Sequence, residues 1–390
     1  MSGEEMLALP ERITSGGRLS VEEGVSILSS RDHAALGAAA DEMRRTLHEE
    51  TKDLCTFVID RNINYTNVCV AKCGFCNFYR LPGHVDGYVQ TIDQICDRVD
   101  QLVSIGGTQV LMQGGHNPKL GIDYYKELLR GIRRRFPDIT LHCFSPSEIG
   151  YFSQLFHMSY EEILREFREA GLDSVPGGGG EILVDRVRKI IAPGKAMADQ
   201  WLGVMRAAHG LGMRTTATMM FGHVETIEER VLHLQRIREL QDETHGFTAF
   251  IPWSYQPDGT ELGGERASAV EYLKVLALSR LFVDNIPNIQ AGWLTEGPKI
   301  AQMALMYGAN DFGGTLLEEN VVSQAGGQYW LRLEEIFRLI RDIGRTPAQR
   351  NTYYKILKVF APGDESDLVA KAREIASPMQ VQSIELLSAR

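Results

Sequence analysis

Asn67-Val68-Cys69-Val70-Ala71-Lys72-Cys73-Gly74-Phe75-Cys76-Asn77-Phe78-Tyr79 places three cysteines at Cys-x3-Cys-x2-Cys. Three thiolates on one short loop can hold three irons of a 4Fe-4S cluster. The fourth iron then has no protein ligand and stays open to a small molecule, whereas most electron-transfer clusters are closed by four cysteines. Phe75, directly before Cys76, is placed to shield such a cluster or to adjoin a bound adenine. Two other readings compete. The thiols could hold structural zinc with His84 as a fourth ligand, or be unrelated reduced thiols. Structural zinc sites usually need four ligands, which favours the cluster.

Outward from the loop, strands and helices alternate. Cys55 to Asn64 reads as a strand, followed by strands at Gln109 to Gln113, Ile139 to Phe144, Leu172 to Val175, Thr215 to Phe221, Phe247 to Trp253, Ile289 to Trp293 and Ala309 to Phe312. Helical segments separate them. Four of the chain's helices open on a Ser or Thr followed three residues later by Glu or Gln: Ser20/Glu23, Thr91/Gln94, Ser159/Glu162 and Thr226/Glu229. Eight such strands argue an α/β chain folded as a (β/α)8 TIM-type barrel, with an open doubly wound sheet as the alternative. Residues 1–52 read as an N-terminal helical extension, 53–330 as the barrel and 331–390 as a C-terminal helical cap.

In such a barrel, chemistry gathers at the C-terminal ends of the strands. The unusual residues fall there: the cysteine loop, Gly114-Gly115, Ser145 to Glu148, Pro176 to Glu181, His223, Trp253, Trp293 and Asp311. Gly114-Gly115 lets backbone groups approach a ligand closely. Four glycines at 177–180 have no Walker lysine after them and no strand–G-x-G-x-x-G unit, which disfavours a phosphate cradle. His223, Glu148 and Asp311 are candidate acid–base groups, each competing with a purely structural role. Trp253 and Trp293 suit an aromatic wall or simple core packing equally.

Composition narrows the class. A net charge of −10 over 390 residues gives no sign of a nucleic-acid or anionic-membrane partner. No run approaches a membrane span, and the N-terminus is too polar and acidic for a signal peptide. Six cysteines, three of them scattered at 55, 96 and 143, do not make a secreted disulfide framework, so a reducing cytoplasm is expected.

The cysteine loop resembles the radical SAM signature. With Asp60 to Asn67, Cys76-Asn77-Phe78-Tyr79-Arg80, His142 to Ile149, Gly171 to Ser174, Thr216 to Met220, Phe250 to Trp253 and Gly308 to Gly313, the chain resembles the cyclic dehypoxanthinyl futalosine synthases (dehypoxanthine futalosine cyclases) of the futalosine route to menaquinone, over roughly residues 55–350. One departure is Gly180, where alanine is expected before Glu181.

The resemblance implies a 4Fe-4S cluster on Cys69, Cys73 and Cys76 that binds S-adenosyl-L-methionine. Gly114 and Gly115 would receive the methionine amino group, Glu181 the ribose or amino group, and Arg188 the carboxylate. It implies hydrogen abstraction from C4′ of dehypoxanthine futalosine by a 5′-deoxyadenosyl radical. The carbon radical then attacks the benzoate ring, and one electron and one proton leave. Asp311, Glu148 or His223 would take the proton, and Arg61 or Arg80 would meet the benzoate carboxylate. An electron donor such as flavodoxin or ferredoxin is implied. The related aminofutalosine synthase, which adds the adenosyl radical to its substrate, is the alternative enzyme; a non-catalytic zinc protein is the alternative of another class.

Overall fold

Asp60, Asn62 and Asn64 alternate with Ile59, Arg61 and Ile63, and a strand sends alternate residues to opposite faces. In the structure, a computed structural model that describes residues 1–327 and 329–375, all three polar residues line one central cavity. The same period holds on the following strands. Gln109, Leu111 and Gln113, then Thr216 and Thr218, then Ile251 and Trp253 face inward. Their neighbours Val110, Met112, Leu141 and Ala217 are fully buried against the outer helices.

The strands are β1 (Leu54–Val58), β2 (Asp60–Ile63), β3 (Gln109–Met112), β4 (Thr140–Cys143), β5 (Ser174–Val175), β6 (Arg214–Phe221), β7 (Phe247–Ser254), β8 (Asn288–Ile289) and β9 (Asp311–Gly314). From β2 to β8 they form one parallel sheet in chain order. A bridge between Gln290 and Asp311 carries the sheet on to β9, which pairs in parallel with β1. β1 and β2 are one expected strand, interrupted at Ile59. The ring therefore closes, and the fold is an eight-unit α/β barrel.

The four foreseen capping boxes all form. Two more form: Ser2 with Glu5 at the first helix, and Ser145 with Glu148, which opens a helix over Pro146–Phe156 that the sequence reading does not contain. The helix expected from Glu181 begins only at Asp185, because Glu181 sits at φ 32° in the preceding loop. The strand expected over 289–293 is short, and Trp293 instead opens a one-turn helix. Cys55, Cys96 and Cys143 are buried core thiols. In the N-terminal extension, helices Val21–Ser29 and His33–Leu47 pack on the outer helices Ile227–Thr244 and Ala269–Phe282.

The segment expected to be a helical cap is only partly helical. It holds a helix at Leu333–Asp342, then β10 (Thr346–Arg350) and β11 (Ile356–Val359), an antiparallel pair, and helix again over 366–375. β10 lies parallel to β1 and brings Arg350 to the cavity. Residues 376–390 of the expected cap lie outside the described residues.

Candidate active site

The cysteine loop hangs over the C-terminal end of β2 and is fixed at both ends by backbone bonds. The Cys69 amide donates to the Arg80 carbonyl at 2.9 Å, and the Arg80 amide to Asn67 at 2.8 Å. Gly74 donates to Ile191 at 2.8 Å and accepts from Leu262 at 2.7 Å. Gly114 and Gly115 make room for the loop: a Cβ on Gly115 would lie 2.2 Å from the Val68 carbonyl oxygen, and one on Gly114 2.5 Å from the Tyr65 ring. The amides of Ala71 and His116 donate to the Cys69 sulfur at 3.4 and 3.3 Å.

Cys69, Cys73 and Cys76 all face one cavity of about 400 Å³. Burial pushes the Cys73 thiol up to about 12 and raises Cys69, so these sulfurs favour the thiolate only beside bound positive charge. Among the described residues, no three His, Cys, Asp or Glu side chains converge on a point that would hold a single metal ion. Three thiols on one loop that face one chamber fit a cluster. His84 lies in a second, outer recess that Cys76 and Arg80 also line.

Phe75, Gly114, Gly115, Glu148 and Glu181 line the cavity with the cysteines. Glu148 is already engaged. It accepts from the Tyr65 hydroxyl at 2.6 Å, the Gly114 amide at 2.9 Å, and the Ser145 amide and hydroxyl at 2.8 and 2.7 Å. Burial raises its pKa against these bonds. Its geometry is that of a capping residue that also pins the Gly114 turn, not of a free base.

Three expected site residues do not line the cavity. Arg188 is 1% exposed and stands behind the glycine turn. Its guanidinium donates to the carbonyls of Gly179, Gly180 and Ala196 at 2.9, 2.8 and 2.5 Å, leaving it a buttress of that turn. Asp311 is fully buried and accepts from Arg350 Nε and Nη2 at 2.5 and 2.9 Å and from the Thr56 hydroxyl at 2.5 Å. A carboxylate so tied and so placed cannot meet a substrate proton. The His223 ring contacts the Met220 carbonyl at 3.0 Å and Glu225 at 2.9 Å. Burial opposes the Glu225 charge, but the His223 and Arg230 contacts hold its pKa down to about 2, marking a turn-locking ion pair.

The arginines expected at the substrate carboxylate are also engaged elsewhere. Arg61 points outward to Glu318 at 2.9 Å, and Arg80 donates to the carbonyls of Asn77 and Tyr79 at 3.1 and 2.9 Å. Arg350 is the arginine that lines the cavity, with the Tyr354 ring 3.9 Å from its guanidinium carbon.

Lys195 is the other residue the sequence reading misses. Its ammonium lies 3.1 Å from Glu181 Oε1 and 5.0 Å from the centre of the Phe75 ring, and it lines the cavity. Burial works against that charge, but Cys73, Glu181 and Cys76 hold its pKa above the ordinary lysine value. The only sequence signal is its place four residues past the helix Asp185–Ile191, in the loop after the glycine run. Gly180, the departure noted above, is tightly placed: a Cβ there would lie 2.7 Å from the Thr218 carbonyl oxygen.

The chain is similar to known proteins. The pattern described as "Radical SAM superfamily" matches residues 63–237, and that described as "CofH/MqnC C-terminal region" matches 244–362. The chain is 48% identical over 351 residues to the cyclic dehypoxanthine futalosine synthase of Halalkalibacterium halodurans, covering 90% of this chain and 94% of that one. It is 45% identical to the cyclic dehypoxanthine futalosine synthase of Streptomyces coelicolor, over 90% of this chain and 88% of that one. Identity to the aminodeoxyfutalosine synthase of Thermus thermophilus is 37%, over 91% of this chain and 96% of that one. Among solved structures, methylornithine synthase (PylB) superposes with a TM-score of 0.70 at 19% identity, over 87% of this chain and 97% of that one, which is a likeness of fold. With a three-cysteine loop opening into the barrel chamber and near-full-length identity of this size, the chain belongs to the cyclic dehypoxanthine futalosine synthase family of radical SAM enzymes.

Proposed function

We propose that the protein cyclises dehypoxanthine futalosine to cyclic dehypoxanthinylfutalosine in menaquinone biosynthesis. The observation that carries the reading is the union of the cysteine loop and an inward-facing polar wall in one cavity, in a chain 48% identical to a protein of that name. Cys69, Cys73 and Cys76 would hold a 4Fe-4S cluster, with Gly114, Gly115, Glu181 and Lys195 around S-adenosyl-L-methionine. When bound, that pair supplies a 5′-deoxyadenosyl radical able to take hydrogen from an unactivated carbon.

The chain's own residues then have four tasks. Phe75 and Lys195 cover the side of the chamber next to the thiols. Asn62 and Asn64 each leave a buried side-chain oxygen without a partner in the cavity wall. Such orphans are rare, and they suit the hydroxyl donors of a ribose-derived ring. Arg350, its guanidinium held by Asp311, and Tyr354, stacked on it, line the wall proposed for the benzoate end. Trp253 and Trp293 narrow the chamber between, holding the radical carbon and the ring at attack distance.

Cys76 faces both the inner cavity and the outer recess, which suits electron entry from a docked flavodoxin or ferredoxin. Among the described residues no helix is long and apolar enough to cross a membrane. Unpaired thiols and an air-sensitive cluster suit the reducing cytoplasm.

The test is an anaerobic assay of reconstituted protein with S-adenosyl-L-methionine, a reductant and dehypoxanthine futalosine, read by mass spectrometry. The expected product is two hydrogens lighter than substrate, with matching 5′-deoxyadenosine. Incorporation of the adenosyl group into a product made from an enolpyruvyl benzoate would instead support the aminofutalosine synthase reaction.

A further inference from the structure

We infer that the carboxylate of Asp60, on the first barrel strand, takes the proton that leaves the benzoate ring after cyclisation. The inference rests on the proposed function. Once the C4′ radical has bonded to the ring, the attacked ring carbon carries both the new bond and its original hydrogen. Aromaticity returns when that C–H bond breaks, its electron pair stays in the ring, and its proton goes to a base. The resulting radical anion then passes one electron to an acceptor of the iron–sulfur or flavin class. The atoms balance: one hydrogen leaves with 5′-deoxyadenosine and one as a proton.

The base must line the cavity and have a lone pair to offer. Four carboxylates line it: Asp60, Glu148, Glu181 and Glu319. Glu148 accepts four hydrogen bonds, as described. Glu181 faces the Lys195 ammonium. Glu319 folds back on its own loop, accepting from the amides of Val321, Val322 and Ser323 at 2.7, 2.8 and 2.8 Å. The two imidazoles in the wall are engaged: His116 stacks on Tyr151 with Nε2 3.4 Å from the Ser147 hydroxyl, and His142 lies 2.8 Å from the Ser174 hydroxyl.

Asp60 differs. It accepts a single bond on each oxygen, from the Leu316 amide at 3.0 Å and the Gln109 side chain at 3.2 Å. The charged groups acting on it are Arg350 on β10, which favours its ionised form, and Asp311 on β9, which opposes it. Burial outweighs these and raises its pKa to about 6, close to the working range of a general base. Ionised above that value, it accepts a proton; protonated below it, it cannot. Product formation should therefore rise as pH climbs through about 6.

The variant to make is Asp60→Asn, which keeps the acceptor for Leu316 and removes the basic oxygen. Iron content and the thermal midpoint are measured alongside. A general base contributes roughly 100-fold or more, so cyclised product should fall by about that factor. Formation of 5′-deoxyadenosine, which precedes proton loss, should fall far less, and an organic radical should accumulate in electron paramagnetic resonance. Asp60→Glu should restore part of the product. The thermal midpoint should not drop, because a buried charge has been removed; a merely structural role would lower it.

Coupled product formation by Asp60→Asn at the wild-type rate would overturn the assignment. So would a parallel loss of 5′-deoxyadenosine and product, which would mean a defect before the ring is attacked. If Asp60→Asn fails to hold its cluster, the wild-type pH profile decides: an acid limb centred near 6 supports Asp60, and a flat profile through that region overturns it. Wild-type protein that leaves dehypoxanthine futalosine untouched overturns the proposed function, and this assignment with it.

Discussion

Lys195 and Arg188 show how little the identity of a cation says about its job. Both follow the glycine run, both are basic, and both lie near Glu181. Arg188 is on the inner face of a short helix and binds carbonyls, whereas Lys195 is on the next loop and meets the cavity. Lys195→Met would leave Glu181, 4% exposed, without its nearest cation. Breaking a buried pair from one side costs about 3 kcal/mol or more. Protein without its cluster should lose about that much in urea titration, and the reconstituted variant should bind S-adenosyl-L-methionine more weakly. Arg186→Met, at a half-exposed ion pair, should cost about 1 kcal/mol or less in the same titration. Glu148 carries a related lesson. Ser-x-x-Glu also marks a helix start at Ser2, Ser20, Ser159, Ser268 and, as Thr-x-x-Glu, Thr226. Ser145-Pro146-Ser147-Glu148 is the same signal, and its glutamate serves the cap.

At the scale of elements, strands that carry the barrel are legible because apolar and polar residues alternate with the period of the pleat, and β2, β3, β5 and β6 are followed by the cysteine loop, Gly114-Gly115, the glycines at 177–180 and Gly222. β10 is not legible. Thr346-Pro347-Ala348-Gln349-Arg350 contains almost nothing that favours a strand. It is extended because β1 pairs with it, a tertiary cause that no local pattern reports. Missing β10 hides Arg350, and without Arg350 the buried Asp311 looks like a free acid. Asp311→Asn should therefore behave as the loss of an inter-strand ion pair. Stability should fall by about 3–5 kcal/mol, because the Arg350 charge stays buried with its partner neutralised. The fraction that folds should keep an acid limb in its rate profile, displaced to lower pH because Asp311 no longer opposes ionisation of Asp60, measured by denaturant titration and by rate profiles on the same preparation. Loss of that limb with unchanged stability would return Asp311 to the proton path.

For the whole molecule, the arrangement separates three tasks along one cavity. The cysteine loop closes its mouth, carboxamides line its middle, and Arg350 with Asp60 and Tyr354 supplies charge and an aromatic face. A barrel interior is ordinarily filled by branched apolar side chains. Here it is hollow, and the inward positions of β2, β3 and β6 add Asp, Asn, Gln and Thr to a wall that aromatic and aliphatic side chains also line. That choice of residues is visible in the sequence, but its meaning depends on register, which only the assembled sheet fixes. The central claim is that this chamber brings a radical to the C4′ hydrogen of dehypoxanthine futalosine. Substrate deuterated at C4′ tests it most directly, with the 5′-deoxyadenosine formed under anaerobic turnover analysed by mass spectrometry. The account predicts one deuterium in each 5′-deoxyadenosine and a cyclised product that has lost the label. Unlabelled 5′-deoxyadenosine, or a product that retains the deuterium, would contradict it.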